Sequence, residues 1–361
     1  MLKLAIIAGD GIGPEVVDAS LSVLEAAAPA AGLEYTTTRF PFSATHFLET
    51  GHVLDDDDVA ELRKFDAILL GAVGGLPNDP RLAGGVIEKG ILLRLRFDLD
   101  QYINLRPVQL YPGIDTPIKG KTSDDIDFVC VRENTEDLYC GLGGILRKGT
   151  PHEVANQTMV ATRMGVERCL RYAFELAKTR ARKQLTLVHK TNVLNFAGDT
   201  WHRAFEEIAG EYPDVETGYH HVDACCMFMV TKPEAYDVIV VPNMFGDIIT
   251  DLGAAIAGGM GIASSGNLNP DGAAPSMFEP VHGSAPDIAG KNLANPIATI
   301  DSLALLLKES GRIKSNAAAT ACGEQIAAAV QRVTPRFAGK SLDRSGYGTE
   351  EIALMVAESL V

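Results

Sequence analysis

The chain has 361 residues, of which 46% are hydrophobic and 22% charged, and its 32 basic and 47 acidic residues give a net charge of −15. This length predicts two domains, and this composition excludes a disordered chain. The acidic excess without a basic stripe argues against nucleic acid as a partner, because phosphate binding needs clustered positive charge. No apolar run is long enough for a membrane helix and no signal peptide is evident. Because the six cysteines lack a disulfide or metal spacing, we expect a reduced, cytoplasmic protein.

Short apolar runs alternate with amphipathic stretches along the chain, which is typical of an α/β fold. The patterns predict strands at residues 4–7, 67–70, 128–132, 185–188, 215–221 and 238–241. They predict helices at residues 15–28, 59–64, 164–183, 199–209, 248–257, 298–308 and 349–360. The acidic run at residues 55–58 precedes a helix, so we interpret it as a solvated helix start and not as a metal site.

The first predicted strand is followed by a glycine-rich turn at residues 9–13, directly before Pro14. Its GxGxG spacing differs from the GxGxxG pattern of dinucleotide-binding Rossmann folds. Proline is favoured at the start of a helix, and glycines permit a tight turn. We therefore interpret the segment as a structural turn that borders a ligand cleft.

Three arginines are candidate substrate ligands, namely Arg96, Arg106 and Arg132. The planar guanidinium group matches a carboxylate, so arginines that converge on a cleft indicate a di- or tricarboxylate ligand. Taken alone, an arginine of this kind is more often a surface residue or part of a structural ion pair. Apolar neighbours such as Leu95 and Leu105 favour a buried position and therefore a binding role.

Asp247 and Asp251 follow a predicted strand and are four residues apart. On a helix this spacing places both carboxylates on one face, where their oxygens suit Mg²⁺ or Mn²⁺. The alternative is an exposed acidic helix face. Because Ile248 and Ile249 predict a mostly buried helix, two like charges there would need a cation.

For the remaining candidates, the residues alone leave more than one role open. Lys190 follows a strand and could serve in proton transfer if it lines a cleft, whereas Tyr139 and Asp223 remain undecided. The segment of residues 279–290 is rich in small residues. It could present N–H groups to phosphates and an aspartate to a ribose, but it could also be a rigid loop.

Together, residues 9–15, Arg96, residues 104–107, 189–192, 243–262 and 282–295 resemble the β-decarboxylating dehydrogenase family. This family oxidises 3-isopropylmalate, isocitrate, homoisocitrate, tartrate and malate, and the resemblance covers nearly the whole chain. It implies an α/β fold of two domains around a cleft, distinct from the Rossmann fold, in a homodimer with shared active sites. The first domain, on the NAD-binding side, would comprise residues 1–101 and 258–361. The second, residues 102–257, would carry the dimer interface and most catalytic residues.

The resemblance also implies a role for each candidate residue. The three arginines would hold the malate carboxylates, while Asp247, Asp251 and Asp223 of the partner subunit would bind the metal. Asp223 would also lie against the substrate. Lys190 of the partner subunit would relay the proton of the substrate hydroxyl, and Tyr139 would protonate the enolate after CO₂ is lost. The cofactor would contact Glu279, His282, Gly283, Ser284, Ala285, Pro286, Asp287, Ile288 and Asn295.

Cofactor and substrate follow from departures within the family. Asp287 and Ile288 replace the Lys-Tyr pair of NADP-dependent isocitrate relatives, which predicts NAD. Gly90 and Leu92 replace the Ser and Asn of isocitrate enzymes, so Leu92 offers an apolar wall that suits an isopropyl group. We expect NAD-dependent, Mg²⁺- or Mn²⁺-requiring oxidative decarboxylation of (2R,3S)-3-isopropylmalate to 4-methyl-2-oxopentanoate, a step of leucine biosynthesis.

Alternatives stay open for the substrate and for the class of protein. Residues 133–139 resemble isocitrate, homoisocitrate or tartrate enzymes more than many isopropylmalate enzymes. Tartrate or D-malate, and homoisocitrate or isocitrate, are therefore alternative substrates. The alternative from another class is a non-catalytic protein that binds a metal and a dicarboxylate, which would be expected to lack Lys190 or Tyr139.

Overall fold

The computed structural model describes residues 1–76, 79–338 and 346–360. Its strands are β1 Leu2–Gly9, β2 Tyr35–Phe40, β3 Ala67–Ala72, β4 Ile103–Gln109, β5 Asp127–Glu133, β6 Gly143–Leu146, β7 Val154–Gln157, β8 Gln184–His189, β9 Glu216–His221, β10 Val238–Val241, β11 Ser264–Leu268 and β12 Ser276–Pro280. Its α-helices are α1 Gly13–Ala31, α2 Ala44–Thr50, α3 Asp56–Leu62, α4 Arg94–Asp98, α5 Arg163–Thr179, α6 Asn195–Ala209, α7 Val222–Thr231, α8 Asn243–Ile256, α9 Ile297–Lys314, α10 Ala317–Val333 and α11 Thr349–Glu358. A π-helical turn, Glu88–Leu93, leads directly into α4.

One long sheet organises the chain. Within the described residues its ten strands stand in the order β2-β1-β3-β12-β11-β4-β5-β10-β8-β9, and β6 and β7 form a separate hairpin. Both ends of the sheet are parallel, whereas the strands from β12 to β5 pair antiparallel. One half therefore comes from residues 2–72 and 264–280, and the other from residues 103–241. These facts confirm the α/β class, while the proposed domain boundaries stay a prediction.

The predicted strands and helices are all present, but several bounds differ. The helix predicted at residues 164–183 ends at Thr179, because Arg180 has an extended backbone. The helix predicted to start at residue 248 begins at Asn243, directly after Pro242, so Asp247 lies inside it. The prediction omitted several elements altogether, among them α10 and the strands β2, β4, β11 and β12.

The glycine-rich turn between β1 and α1 packs against the loop that follows β12. The backbone N–H of Ile12 donates a hydrogen bond of 2.8 Å to the carbonyl of Ser284. Ile12 and Val16 also form a small buried cluster with Ala294, against which Ile288 packs. The turn is thus a structural support for the loop that we expect to bind the cofactor.

The acidic run at residues 55–58 starts α3, as predicted. Asp55 is the N-terminal capping residue, and its side chain and that of Asp58 form reciprocal hydrogen bonds with each other's backbone N–H. None of the helices in the described residues combines the length and hydrophobicity needed to cross a lipid bilayer.

Candidate active site

The three predicted arginines are buried, and each lies on a different element. Arg96 is on α4, Arg106 on β4 and Arg132 on β5. Arg96 and Arg106 line a cavity of about 170 Å³ together with Leu92 and Glu279. β4 and β5 are adjacent in the sheet, which explains why Arg106 and Arg132 come close. The fold therefore gathers groups that are distant in the sequence.

The arginines retain unused hydrogen-bonding capacity. Nε of Arg96 and Nη2 of Arg132 are buried and have no partner among the described residues. Burial and the positive charges of Arg132 and Arg96 together lower the pKa of Arg106 to about 10, although the carboxylates of Asp247 and Glu279 oppose this shift. Buried donors without a partner carry a free-energy cost that an incoming carboxylate would remove.

Asp247 and Asp251 lie on α8 and face the arginines. Oδ1 of Asp247 accepts a hydrogen bond from Nη1 of Arg132 and lies 3.9 Å from Nη2 of Arg106. Oδ1 of Asp251 lies 3.7 Å from Nη1 of Arg106. The predicted convergence of the two carboxylates on one helix face is consistent with these shared partners. The two acids therefore stand where a cation and an anionic substrate could meet.

The expectation of a mostly buried helix around these acids is wrong for one face. Ile249 is buried, but Ile248 is 51% exposed and the Asp251 side chain 64% exposed. In a single chain the argument that buried like charges need a cation applies only in part, to the less exposed Asp247. The apolar pattern failed here because it does not distinguish a core face from a face that another surface could cover.

Their surroundings shift the two carboxyl pKa values in opposite directions. Burial tends to raise the pKa of Asp247, but Arg132, a hydrogen bond from Tyr139 and Arg106 together lower it below its ordinary value. Burial raises the pKa of Asp251, and the positive charge of Arg106 offsets this only in part. Asp247 is thus held as a carboxylate, the form that a metal ligand requires.

Gly246 permits the contact between α8 and Arg132. A Cβ atom on Gly246 would lie 2.5 Å from Cγ and 2.8 Å from Cβ of Arg132, far inside van der Waals contact. Nε of Arg132 donates a hydrogen bond of 2.9 Å to Oδ1 of Asn243, one turn earlier on α8. The helix therefore fixes the Arg132 side chain along its length.

Tyr139 lies in a 3₁₀ turn, Asp137–Cys140, that is tied to the start of α8. The Asp137 carboxylate accepts a hydrogen bond of 2.8 Å from the backbone N–H of Met244. The Tyr139 hydroxyl donates a hydrogen bond of 2.8 Å to Oδ2 of Asp247. Burial raises the pKa of Tyr139, so the phenol is protonated at neutral pH and can act as an acid.

Lys190 and Asp223 form a second group. Lys190 follows β8, Asp223 lies in the first turn of α7 after β9, and these two parallel strands are neighbours. Nζ of Lys190 lies 2.8 Å from Oδ1 of Asp223, and this hydrogen bond lowers the pKa of Asp223. In the described ranges, no hydrogen bond or ion pair links this pair to the arginines. Both residues were expected to act in the partner's site.

The residues expected to bind the cofactor form a continuous segment beside the arginines. Glu279 accepts hydrogen bonds from Nη2 of Arg96 at 3.2 Å and from Nδ2 of Asn267 at 2.9 Å. His282 and Gly283 line the same cavity as Arg96. The loop therefore begins at the substrate arginines and leads away from them.

Two side chains of this loop have buried polar atoms without a partner in the described part of the chain, Nε2 of His282 and Nδ2 of Asn295. Burial lowers the pKa of His282, so its imidazole is neutral. Ala285 has a φ of +39°, and Asp287 is exposed. Pro286 lies between them in the sequence, and the role of this loop in cofactor binding stays a prediction.

Sequence reasoning missed the polar residues that orient Arg106. Nε of Arg106 donates a hydrogen bond of 2.7 Å to Oδ1 of Asn104, and Nη1 donates one of 2.8 Å to Oγ1 of Thr250. Asn104 and Arg106 are two residues apart on β4 and so point to the same face. That spacing was a usable signal for Asn104, whereas Thr250 is brought close only by the fold.

A separate group of possible metal ligands, His52, Asp55 and Asp58, lies at the start of α3. Hydrogen bonds between Asp55 and Asp58 cap the helix, and Nε2 of His52 lies 2.7 Å from Oδ2 of Asp58. Helix capping accounts for this arrangement, and these residues are distinct from the predicted metal ligands.

Comparisons with known proteins match the chain over almost its whole length. A family model described as isocitrate/isopropylmalate dehydrogenase matches residues 3–353. The chain is 58% identical over 320 residues, 89% of each chain, to a 3-isopropylmalate dehydrogenase of Clavibacter michiganensis subsp. michiganensis. It is 51% identical over 360 residues, 99% of each chain, to one of Corynebacterium kroppenstedtii. The crystal structure of an isocitrate dehydrogenase from Methylococcus capsulatus is 35% identical, with a TM-score of 0.86 over 99% of each chain.

Proposed function

The chain belongs to the isocitrate/isopropylmalate dehydrogenase family, and on this premise we propose that it oxidatively decarboxylates 3-isopropylmalate in leucine biosynthesis, with NAD and Mg²⁺ or Mn²⁺. The two relatives reported above as 3-isopropylmalate dehydrogenases are 58% and 51% identical to it, against 35% for the isocitrate dehydrogenase. The observation that carries the proposal is the contact of Tyr139 and Arg132 with the same carboxylate, that of Asp247. An acid, an anion-binding group and a cation ligand thus meet at one place.

Different side chains of the protein contact the two ends of the substrate. Arg96, Arg106 and Arg132 hold the malate carboxylates, and Nε of Arg96 and Nη2 of Arg132 are free for this role because they have no hydrogen-bond partner among the described residues. Leu92, which is half-buried and lines the same cavity, packs against the isopropyl group. A third carboxylate at this point would lose its hydration without gaining a partner. This arrangement favours isopropylmalate over isocitrate.

Proton transfers are divided between two residues. Lys190 takes up the proton of the substrate hydroxyl as that carbon is oxidised. The resulting 2-oxo acid loses its β-carboxylate as CO₂, and the Tyr139 phenol protonates the enolate that remains. The low pKa of Asp247 and the raised pKa of Tyr139 keep the hydrogen-bonded pair as carboxylate and phenol, which is the state that this step needs.

The residues present fit both the metal and the cofactor. Asp247, Asp251 and Asp223 supply the hard oxygen ligands that Mg²⁺ and Mn²⁺ prefer, and the free polar atoms of His282 and Asn295 suit a nucleotide. Asp287 would accept hydrogen bonds from the adenosine ribose hydroxyls and repel a 2′-phosphate, which favours NAD over NADP. When bound, NAD accepts the hydride and the metal polarises the substrate oxygen.

The protein acts as a homodimer in this proposal. Large exposed apolar side chains lie on α7 and α8, and others lie on the β6–β7 hairpin; they are Met227, Val230, Ile248, Leu142, Ile145, Leu146 and Val154. Exposed apolar side chains that come together in a patch mark protein–protein interfaces, so we propose that a second copy covers these side chains. A second copy that covers α7 and α8 would also bring Lys190 and Asp223 of the partner subunit to the arginines and to Asp247.

The three substrate arginines come from both proposed domains. Arg96 lies in the first proposed domain, residues 1–101 and 258–361, while Arg106 and Arg132 lie in the second, residues 102–257. The substrate therefore bridges the domains, which supports closure of a cleft.

All six cysteines are free, which suits a reducing compartment such as the cytoplasm.

The test is turnover of defined substrates. The purified protein with Mn²⁺ and NAD is assayed for kcat/KM on 3-isopropylmalate, isocitrate, homoisocitrate, tartrate and D-malate, and NADP is then tested in place of NAD. We expect 3-isopropylmalate to rank first, and NAD to be preferred. Another substrate in first place would overturn the assignment. Binding of the substrates by calorimetry without any turnover would indicate a non-catalytic binding protein.

A further inference from the structure

We propose that Tyr219 is a positioning residue that holds the loop after β8 so that Lys190 keeps the orientation its proton transfer requires. The inference rests on the function proposed for Lys190 and adds a residue outside the candidate site. Tyr219 lies on β9, at the edge of the sheet, and is not one of the proposed substrate, metal or cofactor ligands.

The contact is made by the phenol oxygen of Tyr219. It accepts a hydrogen bond of 3.2 Å from the backbone N–H of Thr191 and lies 2.8 Å from Oγ1 of the same residue. Thr191 directly follows Lys190. In the part of the chain that the structure describes, Tyr219 is the only hydrogen-bond partner of the Thr191 N–H. The hydroxyl therefore fixes one end of the Lys190 peptide segment.

The rest of the loop is already constrained, so this hydrogen bond completes its support. The Lys190 N–H donates to Nδ1 of His189 at 2.8 Å, and the Lys190 carbonyl accepts from the backbone N–H of Leu194 at 2.9 Å. Gly198 on α6 lets the helix approach, because a Cβ there would lie 2.9 Å from Cα of Thr191. The backbone on both sides of Lys190 is thus held.

The ring of Tyr219 is itself kept in place. It makes edge contacts with the rings of His202 and His221, each with a centroid separation of 5.5 Å. Its strand pairs with β8, so that Leu187 lies opposite Tyr219. The hydroxyl therefore reaches the loop from a rigid strand, as an effective positioning group should.

This geometry predicts a selective defect. If the Thr191 hydrogen bonds are lost, the loop gains freedom, and Nζ of Lys190 is less often placed for reaction. Misplacement of a reacting group by about 1 Å can cost about 100-fold in rate. Only the step that uses Lys190 should slow. Substrate binding through the arginines and proton transfer by Tyr139 should not change.

The variants are Tyr219→Phe and Thr191→Val, with Tyr212→Phe as the matched control. Tyr212 also loses only a hydroxyl, one that donates to Glu175 on α5 and not to the loop after β8. We expect Tyr219→Phe to slow single-turnover NADH formation by about 10- to 100-fold, with KM for substrate within about twofold. Adding Thr191→Val to Tyr219→Phe should reduce the rate little further, because the effects of two substitutions that remove the same contact do not add.

A partial reaction separates positioning from general damage. Exchange of the C3 proton of 4-methyl-2-oxopentanoate with solvent uses Tyr139 and no hydride transfer, so it should keep its wild-type rate in Tyr219→Phe. Equal slowing of both reactions, or an unchanged rate of NADH formation, would overturn the proposal.

A measurement without turnover separates this inference from the proposed function. Amide hydrogen exchange of the peptide that contains residues 190–193 should be faster in Tyr219→Phe than in the wild type, and unchanged in Tyr212→Phe. Failure of the wild type to oxidise any of the five substrates would refute the proposed function alone. Unchanged exchange in Tyr219→Phe would refute the positioning role, whatever the substrate.

Discussion

The Tyr139 hydroxyl donates a hydrogen bond of 2.8 Å to Oδ2 of Asp247, the residue that we propose as a metal ligand. The other oxygen of that carboxylate accepts from Arg132. The proposed acid of the reaction is therefore in direct contact with the proposed cation ligand, and both are oriented by an arginine that is buried in β5. This contact therefore links the residue that donates the proton to the residue that binds the metal.

Replacing Tyr139 with Phe should slow the steps after oxidation and leave the oxidation itself nearly intact. The variant loses the acid but keeps Asp247, the arginines and Lys190. We expect steady-state turnover to fall by about 100-fold, while the first turnover of NADH stays close to the wild-type rate. Stopped-flow absorbance of NADH measures both quantities in one experiment.

The control for this experiment is Lys190→Ala, which should abolish hydride transfer as well as turnover. The division of roles predicts opposite outcomes for the two variants in the first turnover. If Tyr139→Phe lost the NADH burst as completely as Lys190→Ala, the two residues would not act in separate steps.

Mixing two inactive variants should restore activity if the active sites are shared between subunits. Lys190→Ala lacks the base and Asp247→Ala lacks the metal ligand, so neither homodimer is active. A heterodimer places the intact Asp247 of one subunit with the intact Lys190 of the other. It should therefore have one working site, with up to half the activity of a wild-type dimer.

Subunit exchange must be verified by native mass spectrometry, with two tags that differ in mass. The matched control mixes Lys190→Ala with Tyr219→Phe, because both changes lie on the same side of the shared site. That mixture should recover no more than the slow rate of Tyr219→Phe. A heterodimer without activity in the first mixture would count against shared sites.

Leu92 should determine the preference for the isopropyl group. Truncation to Ala removes the apolar wall of the cavity, and we expect kcat/KM for 3-isopropylmalate to fall by about 10-fold. The value for D-malate, which lacks the substituent, should change much less. Leu93→Ala is the control, because Leu93 is also half-buried but does not line the cavity. Equal losses on both substrates would show that Leu92 acts through stability.

The sequence predicted the site residues best where the residue types and their spacing both indicated the same role. Asp247 and Asp251 were predicted because they lie four residues apart after an apolar strand. That prediction did not depend on where α8 begins, for which the predicted start was wrong by five residues. The arginines were found from their apolar neighbours, and they are buried as expected. Local spacing therefore suffices when one helix or strand supplies the geometry.

Contacts between distant segments could not be predicted in this way. Thr250 and Asn243 lie on helix α8 and each binds an arginine on a strand, and nothing in the sequence near them indicates such a partner. The failure at Ile248 has a related cause, since an apolar residue can face either the core or a second subunit. The short strands β11 and β12, with polar residues such as Asn267 and Glu279, lacked the apolar run that marks a buried strand.

A buried acid far from the site provides a test of stability. Asp301 on α9 is 6% exposed, and burial raises its pKa to about 7, although the hydrogen bond from Tyr111 and the charge of Lys308 oppose this rise. The Tyr111 hydroxyl lies 2.7 Å from Oδ2 of Asp301. In the folded protein the acid is therefore neutral at mildly acidic pH, whereas in the unfolded chain it ionises near its ordinary value.

Replacing Asp301 with Asn should consequently stabilise the protein at high pH and have little effect at low pH. Between about pH 4 and pH 7 the unfolded chain binds fewer protons at this position than the folded chain, so wild-type stability falls as pH rises through that window. Above pH 7 the wild type carries a buried charge that Asn lacks, worth on the order of 1–4 kcal/mol. Asn also retains an oxygen that accepts from Tyr111. The midpoints of urea unfolding, monitored by circular dichroism, should thus differ between the two proteins by clearly more at pH 8 than at pH 5, and an equal offset at both pH values would mean that the ionisation of Asp301 is not responsible.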